Sequence, residues 1–253
     1  MYGQCVFETI AVQNAKPCLL DLHIARLLKG ANVLGIPADS DTIINEVMQL
    51  SSSLELGIVR INLTMGEGGR GYENPNSPSP TRIITLHEYP TYPKANWQEG
   101  IKIGLADIEL AEQPLLAGIK HGNRLEQIIA RNQWLPDWQE ALLLDTNKHI
   151  IEGTQSNVFL VKNKQLITPN LDKAGVAGVM RQCVINEAQK LGLETLKQDV
   201  RIEDVEQADE VFLTNSVIGI WPEKQFRETS YNSIQESSNL LKSIIKNEFI
   251  PTI

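Results

Sequence analysis

The chain has 253 residues, of which 42% are hydrophobic and 21% charged, so it is long enough to bury a sizeable core in one or two domains. Its 31 acidic residues outnumber 23 basic ones, and the resulting net charge of -8 argues against nucleic acid as a partner but not against an anionic small molecule. Three widely spaced cysteines argue against disulfides and structural zinc, and no signal peptide or membrane-length apolar run is present, so we expect a reduced, soluble, cytoplasmic protein with no membrane association.

The first third of the chain alternates strand-like and helix-like patterns. Residues 5–12 (CVFETIAV) are rich in β-branched side chains, and a turn leads from them to a second short strand at residues 17–20. Asp21 is a good N-cap for a helix whose apolar spacing continues to Gly35. Further along, the patterns predict a helix at residues 40–52, a strand at 57–65, a glycine-rich loop at 67–72 and a strand at 82–86.

A stretch with prolines and tyrosines but no periodicity separates this part from the rest. The sequence therefore predicts a small domain at residues 1–88, a linker at 89–97 and a large domain at 98–253. In the large domain we expect strands at residues 101–105, 140–145, 156–161, 166–168, 194–197 and 209–213, and helices that follow residue 124 and cover about 178–191, 203–207 and 234–246.

The first candidate for chemistry is Lys120, in the segment LAGIKHGNRLEQIIAR at residues 116–131. It precedes a helix whose Leu125, Ile128 and Ile129 share one face by their spacing. A lysine held on a short, irregular, partly desolvated segment can attack a carbonyl with its amine. The alternative is an ordinary surface lysine, and only the surroundings of Lys120 separate the two.

Glu152, in IIEGTQSNVFL at residues 150–160, is the second candidate. It lies at the end of a strand, and a carboxylate that points into a cleft from such a place can hold a proton on a heterocyclic nitrogen. A turn glutamate in water is the alternative.

Two further stretches suit a phosphate group. The loop AGVAGVMR at residues 174–181 opens a helix, and free backbone N–H groups at a helix N-terminus favour an anion, although a plain tight turn would have the same sequence. Thr214, Asn215 and Ser216 end a strand, where polar side chains line ligand sites or simply form a turn.

Arg26 and Arg70 complete the candidates. Arg26 projects from an otherwise apolar helix face three residues after His23, and Arg70 lies in the loop GGRGY. An arginine fork suits phosphate and carboxylate, and a surface ion pair is the alternative for either residue. For His121 we expect a structural hydrogen bond rather than proton transfer. No group of residues has metal-ligand spacing, so no metal is predicted.

Together these parts describe a site for pyridoxal 5'-phosphate. The aldehyde of that cofactor requires a lysine amine, its ring nitrogen a carboxylate, and its phosphate a helix N-terminus with hydroxyls and an arginine. A non-catalytic module that binds a nucleotide or a sugar phosphate would show the same glycine loops and is the rival interpretation.

The sequence also resembles the fold-type IV pyridoxal-phosphate enzymes, which include branched-chain and D-amino-acid aminotransferases and 4-amino-4-deoxychorismate lyases. The resemblance covers nearly the whole chain, and IKHGNRLEQ with GGRGY resembles the lyase members in particular. The motifs that carry it, in order, are VFET at residues 6–9, HIARL at 23–27, GEGGRGY at 66–72, the Lys120 segment, EGTQSNVF at 152–159 and AGVAGVMRQ at 174–182.

The resemblance implies an α+β fold with two domains, a small α/β domain and a larger pseudo-barrel domain, in a homodimer. It implies a lyase that acts on a small-molecule substrate and releases pyruvate, with a branched-chain or D-amino-acid aminotransferase as the alternative. By the same resemblance, Lys120 would bind the cofactor aldehyde and Glu152 its ring nitrogen. The phosphate would be bound by Arg26, the N–H groups of Val179 and Met180, and the side chain of Asn215 or Ser216, while Arg70, Asn123 and Arg124 would face the substrate.

The chain departs from the family pattern in a few places. The family starts about twenty residues earlier with a strand, so we expect one edge strand of the small domain to be missing. Gln4 stands where an aspartate is usual, and Met65 where an arginine is common. Arg124 replaces an aromatic residue that is frequent in the aminotransferases, which favours the lyase.

Overall fold

The structure is a computed structural model that describes residues 3–68 and 71–251. Contacts between Cα atoms divide the chain into two compact units. The first unit consists of Met1–Thr91 together with Ile119–Asn123, and the second of Tyr92–Gly118 and Arg124–Ile253. Residues 119–123, which include Lys120, thus belong to the first unit although they lie far along the chain. The domain limits derived from the sequence stay a prediction.

An antiparallel sheet forms the centre of the first unit, with its described strands in the order β2–β1–β3–β4. Alternate residues of β1 are buried, which places Val6, Ile10 and Val12 in a core shared with α1 and α2. The elements of this unit are β1 (Cys5–Gln13), β2 (Lys16–Pro17), α1 (Leu20–Val33), α2 (Ser40–Ser51), β3 (Leu56–Thr64) and β4 (Thr81–His87).

The start of α1 differs from the prediction. The helix begins at Leu20, after Leu19 adopts a left-handed conformation with φ 53°, and no side chain caps it. Asp21 therefore lies inside the first turn, where its negative charge suits the helix N-terminus, rather than at the cap. The second strand is correspondingly shorter and earlier, at Lys16–Pro17, because Cys18 and Leu19 form a turn and Leu20 already belongs to α1.

The second unit contains a larger sheet, with the order β10–β9–β8–β11–β12–β5–β6–β7 and β13 beside β12. Its β10/β9, β12/β5 and β5/β6 pairs are parallel and the others antiparallel. Shifts of register in the β12/β5, β5/β6 and β6/β7 pairs curl it into an incomplete barrel around an apolar core. The elements are α3 (Ala95–Gln98), β5 (Ile101–Leu110), α4 (Leu125–Asn132), β6 (Glu140–Asp145), β7 (Ile150–Gly153), β8 (Asn157–Lys162), β9 (Gln165–Pro169), α5 (Val179–Lys190), β10 (Glu194–Gln198), α6 (Ile202–Glu206), β11 (Glu210–Asn215), β12 (Gly219–Phe226), β13 (Thr229–Ser230) and α7 (Gln235–Lys246).

In this sheet β12 and the two-residue β13 were not predicted, and β5 is longer than predicted. β12 was not expected, since Pro222 and a mixture of polar and apolar residues obscure its pattern. β5 runs on to Leu110, past the predicted end at residue 105, because Asp107 and Glu109 interrupt the apolar run without ending the strand. In the part of the chain that the structure describes, no helix is both long and apolar enough to cross a membrane.

Candidate active site

The segment that carries Lys120 is fixed by the N-terminal half of β1. The carbonyl oxygen of Lys120 accepts the N–H of Phe7 at 3.0 Å, and the N–H of Gly122 donates to the carbonyl of Cys5 at 2.8 Å. His121 forms an antiparallel bridge with Val6 between these two bonds. The lysine backbone is therefore held as a short added strand, and its position is set by β1.

Gly122 lies close to the Cys5 side chain. A Cβ atom on Gly122 would lie 2.0 Å from Sγ of Cys5, so the Cys5 side chain would have to rotate to make room for it. The Lys120 side chain itself is half-buried, with Nζ 4.5 Å from the centroid of the Phe7 ring. The ring face attracts a cation, so Phe7 orients the amine as well as the backbone of Lys120.

The residues after Lys120 leave the added strand and enter α4. Nδ1 of His121 accepts the backbone N–H of Asn123 at 3.2 Å, which is the structural role expected for this histidine. The side chain of Asn123 is exposed and lies against Gly3, where a Cβ atom would come within 2.7 Å of Oδ1. Arg124 is half-buried at the N-cap of α4. Arg70, the other predicted substrate residue, lies outside the described residues.

The apolar face predicted for α4 is present, and the described part of the chain leaves it exposed to solvent. Leu125, Ile128 and Ile129 are 68%, 55% and 48% exposed. Their common face agrees with the helical spacing, because residues three and four apart are neighbours on a helix. The spacing carries no information on which surface packs against that face.

Arg26 is paired with a buried carboxylate of β1. Its Nε donates to Oε1 of Glu8 at 2.7 Å and its Nη2 to Oε2 at 2.6 Å, while Nδ1 of His23 lies 2.6 Å from Oε2. Burial alone would raise the pKa of Glu8, but the charges of Arg26 and His23 and their hydrogen bonds lower it to about 2. The first unit thus holds an ionised Glu8 next to Phe7, the residue that contacts Lys120.

In the second unit, Glu152 lies on β7 and is buried. Its Oε2 accepts the backbone N–H of Val176 at 2.8 Å. Gly175, next to Val176, has φ +82°, and a Cβ there would lie 2.7 Å from Cγ2 of Ile151 and 3.3 Å from Oε2 of Glu152. The glycine loop therefore closes directly over the carboxylate, and only a glycine permits that approach.

Further contacts hold the loop at residues 174–178 in place. Nδ2 of Asn157 donates to the carbonyl of Val176 at 2.8 Å, and Gly118 exchanges backbone bonds with Gly175 and Ala177 at 2.9 and 3.0 Å. A Cβ on Gly178 would lie 2.0 Å from Oδ1 of Asn157. Asn157 was not identified from the sequence, although it belongs to the EGTQSNVF motif.

The loop leads into α5, and the N-terminus of this helix is suited to bind an anion. Gly178 occupies the N-cap and so provides no capping side chain, and the first bond that closes a helical turn runs from Gln182 N–H to the Gly178 carbonyl at 3.1 Å. The N–H groups of Val179 and Met180 precede that bond, so the helix offers them no acceptor. Such donors, with the positive end of the helix dipole, favour a phosphate.

The predicted polar residues at the end of β11 have a structural role. Oδ1 of Asn215 accepts the N–H groups of Val217 and Ile218, both at 2.9 Å, and its Nδ2 donates to the carbonyl of Gln155 at 3.1 Å. Ser216 is half-buried within the same turn. The Asn215 amide therefore links this turn to the one that follows Glu152.

Glu140 organises that second turn and was missed by the sequence reasoning. It is buried on β6, where Oε2 accepts the hydroxyl of Ser156 at 2.9 Å and Oε1 accepts the backbone N–H of Thr154 at 3.1 Å. Burial raises the pKa of Glu140, against the effect of these hydrogen bonds. The available signal was a charged residue at the start of the otherwise apolar EALLL.

The structure thus assembles two groups of the predicted residues. In the first unit, Lys120 and Arg26 are both attached to β1, through the consecutive residues Phe7 and Glu8. In the second unit, hydrogen bonds connect Glu152 with the loop at residues 174–178 and so with the start of α5. Asn215 joins this group through the turn at residues 153–156.

Comparison with known proteins establishes the family. Residues 5–226 match the family described as amino-transferase class IV.

The chain belongs to this family.

Its structure is similar to the crystal structure of 4-amino-4-deoxychorismate lyase from Pseudomonas aeruginosa, with a TM-score of 0.95 and 39% identity over 98% of this chain and 93% of that one. It is 34% identical to the aminodeoxychorismate lyase of Vibrio harveyi over 87% of this chain and 82% of the relative. Identity to the branched-chain-amino-acid aminotransferase of Escherichia coli K12 is 27%, over 87% of this chain and 75% of the relative. These similarities confirm the predicted family and the predicted α+β fold with a small domain and a larger pseudo-barrel domain.

Class IV aminotransferases depend on pyridoxal 5'-phosphate, and the residues described here fit that group. Gly175 and Gly178 let the loop at residues 174–178 pack closely against Ile151 and Asn157, where a Cβ atom would collide. The uncapped N-terminus of α5, which this loop leads into, suits the phosphate, and the buried carboxylate of Glu152 suits a protonated ring nitrogen.

Proposed function

We propose that this protein is a pyridoxal-phosphate-dependent lyase that converts 4-amino-4-deoxychorismate to 4-aminobenzoate and pyruvate for folate biosynthesis. The observation that carries this proposal is the similarity to the lyase of Pseudomonas aeruginosa, which is 39% identical and has a TM-score of 0.95. Identity to the lyase of Vibrio harveyi is 34%, against 27% for the branched-chain aminotransferase of Escherichia coli K12. A class IV aminotransferase acting on branched-chain or D-amino acids is the alternative.

The residues of the chain would share the binding of the cofactor. Lys120 would hold the aldehyde through Nζ, and Glu152 would keep the ring nitrogen protonated. Arg26, the N–H groups of Val179 and Met180, and Asn215 or Ser216 would bind the phosphate. The Asn215 amide keeps one N–H of Nδ2 beyond its bond to Gln155, while Ser216 offers a hydroxyl in the same turn.

When bound, the cofactor supplies an electron sink for the bond-breaking step. Nζ of Lys120 would remove the proton from the substrate carbon that bears the amine, and would then protonate the departing enolpyruvyl fragment. Its backbone is fixed on β1, so the amine moves only by side-chain rotation. Aromatisation of the substrate ring drives the release of pyruvate.

Substrate binding would involve Arg70, Asn123 and Arg124. Asn123 is exposed and Arg124 is half-buried, and they lie only three and four residues after Lys120 in the chain. A guanidinium is suited to the carboxylates of the substrate because it donates two parallel hydrogen bonds.

We also propose that the protein is a homodimer in the cytoplasm. The apolar face of α4, formed by Leu125, Ile128 and Ile129, is a surface that a second copy would cover. The three cysteines are free thiols, as in reducing compartments.

The decisive experiment is incubation of the purified protein, loaded with pyridoxal 5'-phosphate, with aminodeoxychorismate and no 2-oxo acid. We expect 4-aminobenzoate and pyruvate in equal amounts. Lys120→Ala should abolish this, with a loss of at least about 100-fold, whereas Lys148→Ala, which removes an exposed lysine paired with Glu109, should not. Amino-group transfer that requires a 2-oxo acid, without release of pyruvate, would support the aminotransferase instead.

A further inference from the structure

Arg60 lies on the face of the small sheet that points away from α1 and α2. Val59 and Ile61, its neighbours on β3, are buried in the core that the sheet shares with these helices. Because successive side chains of a strand point to opposite faces, Arg60 projects from the other side of the sheet, where it is exposed. An exposed arginine needs no explanation by itself, so its surroundings decide whether it has a role.

Phe7 and Lys120 lie on the same face as Arg60. The register of β1 and β3 places Arg60 diagonally across from Phe7. On the other side of β1, the bridge between Val6 and His121 places Lys120 directly opposite Phe7. Residues that are opposite or diagonal in antiparallel strands share a face and come close enough to interact. The sheet thus brings together three side chains that are separated in the sequence.

The ring of Phe7 is contacted by two cations. Cζ of Arg60 lies 5.2 Å from the ring centroid, and Nζ of Lys120 lies 4.5 Å from it. Each contact is favourable by itself, because the face of an aromatic ring attracts a positive charge. Two like charges around one ring nevertheless repel each other. The arrangement is therefore most favourable when an anion lies beside the ring.

The sheet itself supplies no such anion on this face. Among the residues described for β1, β3 and β4, the one acidic side chain is Glu8, which lies on the core face and pairs with Arg26. In the described part of the chain, the ion pairs of arginines belong to Arg26, Arg82 and Arg227, and none involves Arg60. A basic face in a chain of net charge -8 is suited to an anionic ligand.

The proposed substrate has a shape that this arrangement fits. Its amine and its ring carboxylate lie at opposite ends of a six-membered ring, and the amine must come next to Nζ of Lys120 for proton transfer. A substrate ring packed along Phe7 would then direct its carboxylate toward Arg60. The guanidinium can donate two parallel hydrogen bonds to that carboxylate, which the ammonium of a lysine cannot.

We propose that Arg60 binds the ring carboxylate of the substrate and so favours cyclic amino acids whose carboxylate lies opposite the amine. The inference rests on the proposed function, because it takes aminodeoxychorismate as the substrate. Arg60 has no part in binding pyridoxal 5'-phosphate, so its replacement should affect the substrate and not the cofactor.

The test compares 4-aminobenzoate, the product that keeps this carboxylate, with 4-aminobenzamide, which has the same ring and amine but no charge. Calorimetric titration measures both affinities for the full chain loaded with pyridoxal 5'-phosphate. We expect Arg60→Gln to weaken 4-aminobenzoate about 10- to 100-fold and 4-aminobenzamide by less than about twofold. Equal weakening of both ligands would show a merely structural role through Phe7 and overturn the inference.

Steady-state kinetics with aminodeoxychorismate give a second measurement. A group that binds the substrate equally well before and during the reaction changes KM and leaves kcat unaltered. Arg60→Gln should therefore raise KM about 10- to 100-fold while kcat and the affinity for pyridoxal 5'-phosphate change by less than about twofold. An unchanged KM, or a loss of cofactor affinity as large as the rise in KM, would contradict the assignment.

Two further variants make the result specific. Arg60→Lys restores the charge but not the paired donors, so it should recover part of the affinity for 4-aminobenzoate. Arg82→Gln removes an arginine of the adjacent strand β4 that lies on the core face and pairs with Glu46 of α2. It should leave KM and both affinities unchanged. Losses equal to those of Arg60→Gln would show a general effect of charge and contradict a specific role for Arg60.

The design separates this inference from the proposed function. If the unaltered protein forms no 4-aminobenzoate and pyruvate from aminodeoxychorismate, the proposed function fails first. If it forms both and Arg60→Gln shows no selective loss, the role of Arg60 fails alone. Should Arg60→Gln not fold, Arg60→Lys takes its place in the comparison. A loss for 4-aminobenzoate alone would then support the inference, and an equal loss for the amide would overturn it.

Discussion

Oε2 of Glu152 lies 2.8 Å from the backbone nitrogen of Val176, so a buried acid and the loop that opens α5 share one hydrogen bond. The loop therefore forms part of the environment of the carboxylate. Any change that shifts the loop also shifts the acid proposed to control the cofactor ring.

Substitution of Gly175 by alanine tests this coupling. The new Cβ would lie 2.7 Å from Ile151, 2.9 Å from Leu171 and 3.3 Å from the Glu152 carboxylate, at a φ of +82°. We expect a loss of about 2–5 kcal/mol in the free energy of unfolding, from the left-handed backbone and the overpacking together. Urea unfolding and the affinity for pyridoxal 5'-phosphate measure the two effects.

Gly192→Ala is the matched control for that variant. It imposes alanine on a similar φ of +79° but has nothing within 4 Å of the added atom. It should lose only about 1–2 kcal/mol and keep the affinity for the cofactor. Equal behaviour of the two variants would show that the close packing over Glu152 is unimportant.

The burial of Glu223 leads to a prediction of how the free energy of unfolding changes with pH above about 4.5. Glu223 is fully buried on β12, and neither carboxyl oxygen has a hydrogen-bond partner among residues 3–68 and 71–251. Burial raises the pKa of Glu223 well above 4.5. The pKa of Tyr231 is raised by burial and by the charges of Glu223 and Glu206. The folded protein thus keeps this proton at pH values where the unfolded chain has released it.

Stability should therefore fall as the pH rises from about 4.5 to the folded-state pKa of Glu223, by at most about 1.4 kcal/mol per unit. Glu223→Gln removes this term, so its stability relative to the unaltered protein should increase with pH. Urea unfolding at several pH values measures the difference. The exposed Glu248→Gln is the control, and parallel curves for all three proteins would refute the prediction.

For Glu8 we expect the opposite effect, in which stability falls as the pH decreases. Although burial opposes it, Arg26 and then His23 lower the pKa of Glu8 from 4.5 to about 2. The folded state binds its proton less tightly than the unfolded chain, so about 3 kcal/mol of stability is present above pH 4.5 and is lost as the pH falls toward 2. In Glu8→Gln the free energy of unfolding, measured by urea unfolding at several pH values, should depend less on pH over this range. An acid transition unchanged from that of the unaltered protein would contradict the lowered pKa of Glu8.

From the exposed apolar face of α4 we predict that a charged side chain placed there weakens self-association. Ile128→Asp should raise the dissociation constant of the proposed homodimer by at least about 100-fold, because symmetry would place the change twice in the interface. Light scattering across a concentration series measures this. Met48→Asp, at a position of α2 that is 45% exposed, is the control. An unaltered dimer in both variants would place the interface elsewhere.

Local pattern predicted much of the fold because periodicity reports local structure directly. The strand at β1 and the helices α2 and α5 agree with the predicted limits to within one or two residues. β12 was missed, since Pro222 lies within it and its burial comes from strands distant in the chain. For the same reason the spacing of Leu125 and Ile128 located a helical face but not its partner.

The sequence predicted several residues of the candidate site but not the hydrogen bonds that hold them in place. Lys120 and Glu152 were found from their motifs, because glycines and a following helix or turn are visible in sequence. The support from Glu8 and Glu140 was not found, since each depends on side chains that are remote in the chain, Arg26 for one and Ser156 for the other. A buried acid in an apolar strand is the signal that would have identified both.

The attachment of residues 119–123 to β1 limits how this protein can be shortened or recombined. A chain that begins at Tyr92 would still contain Lys120 but would lack Phe7 and the strand that holds the lysine backbone. Exchange of the N-terminal third with that of a relative would likewise replace Phe7 and the strand that hold Lys120. A shortened or recombined chain must therefore keep β1 and residues 119–123 from the same protein.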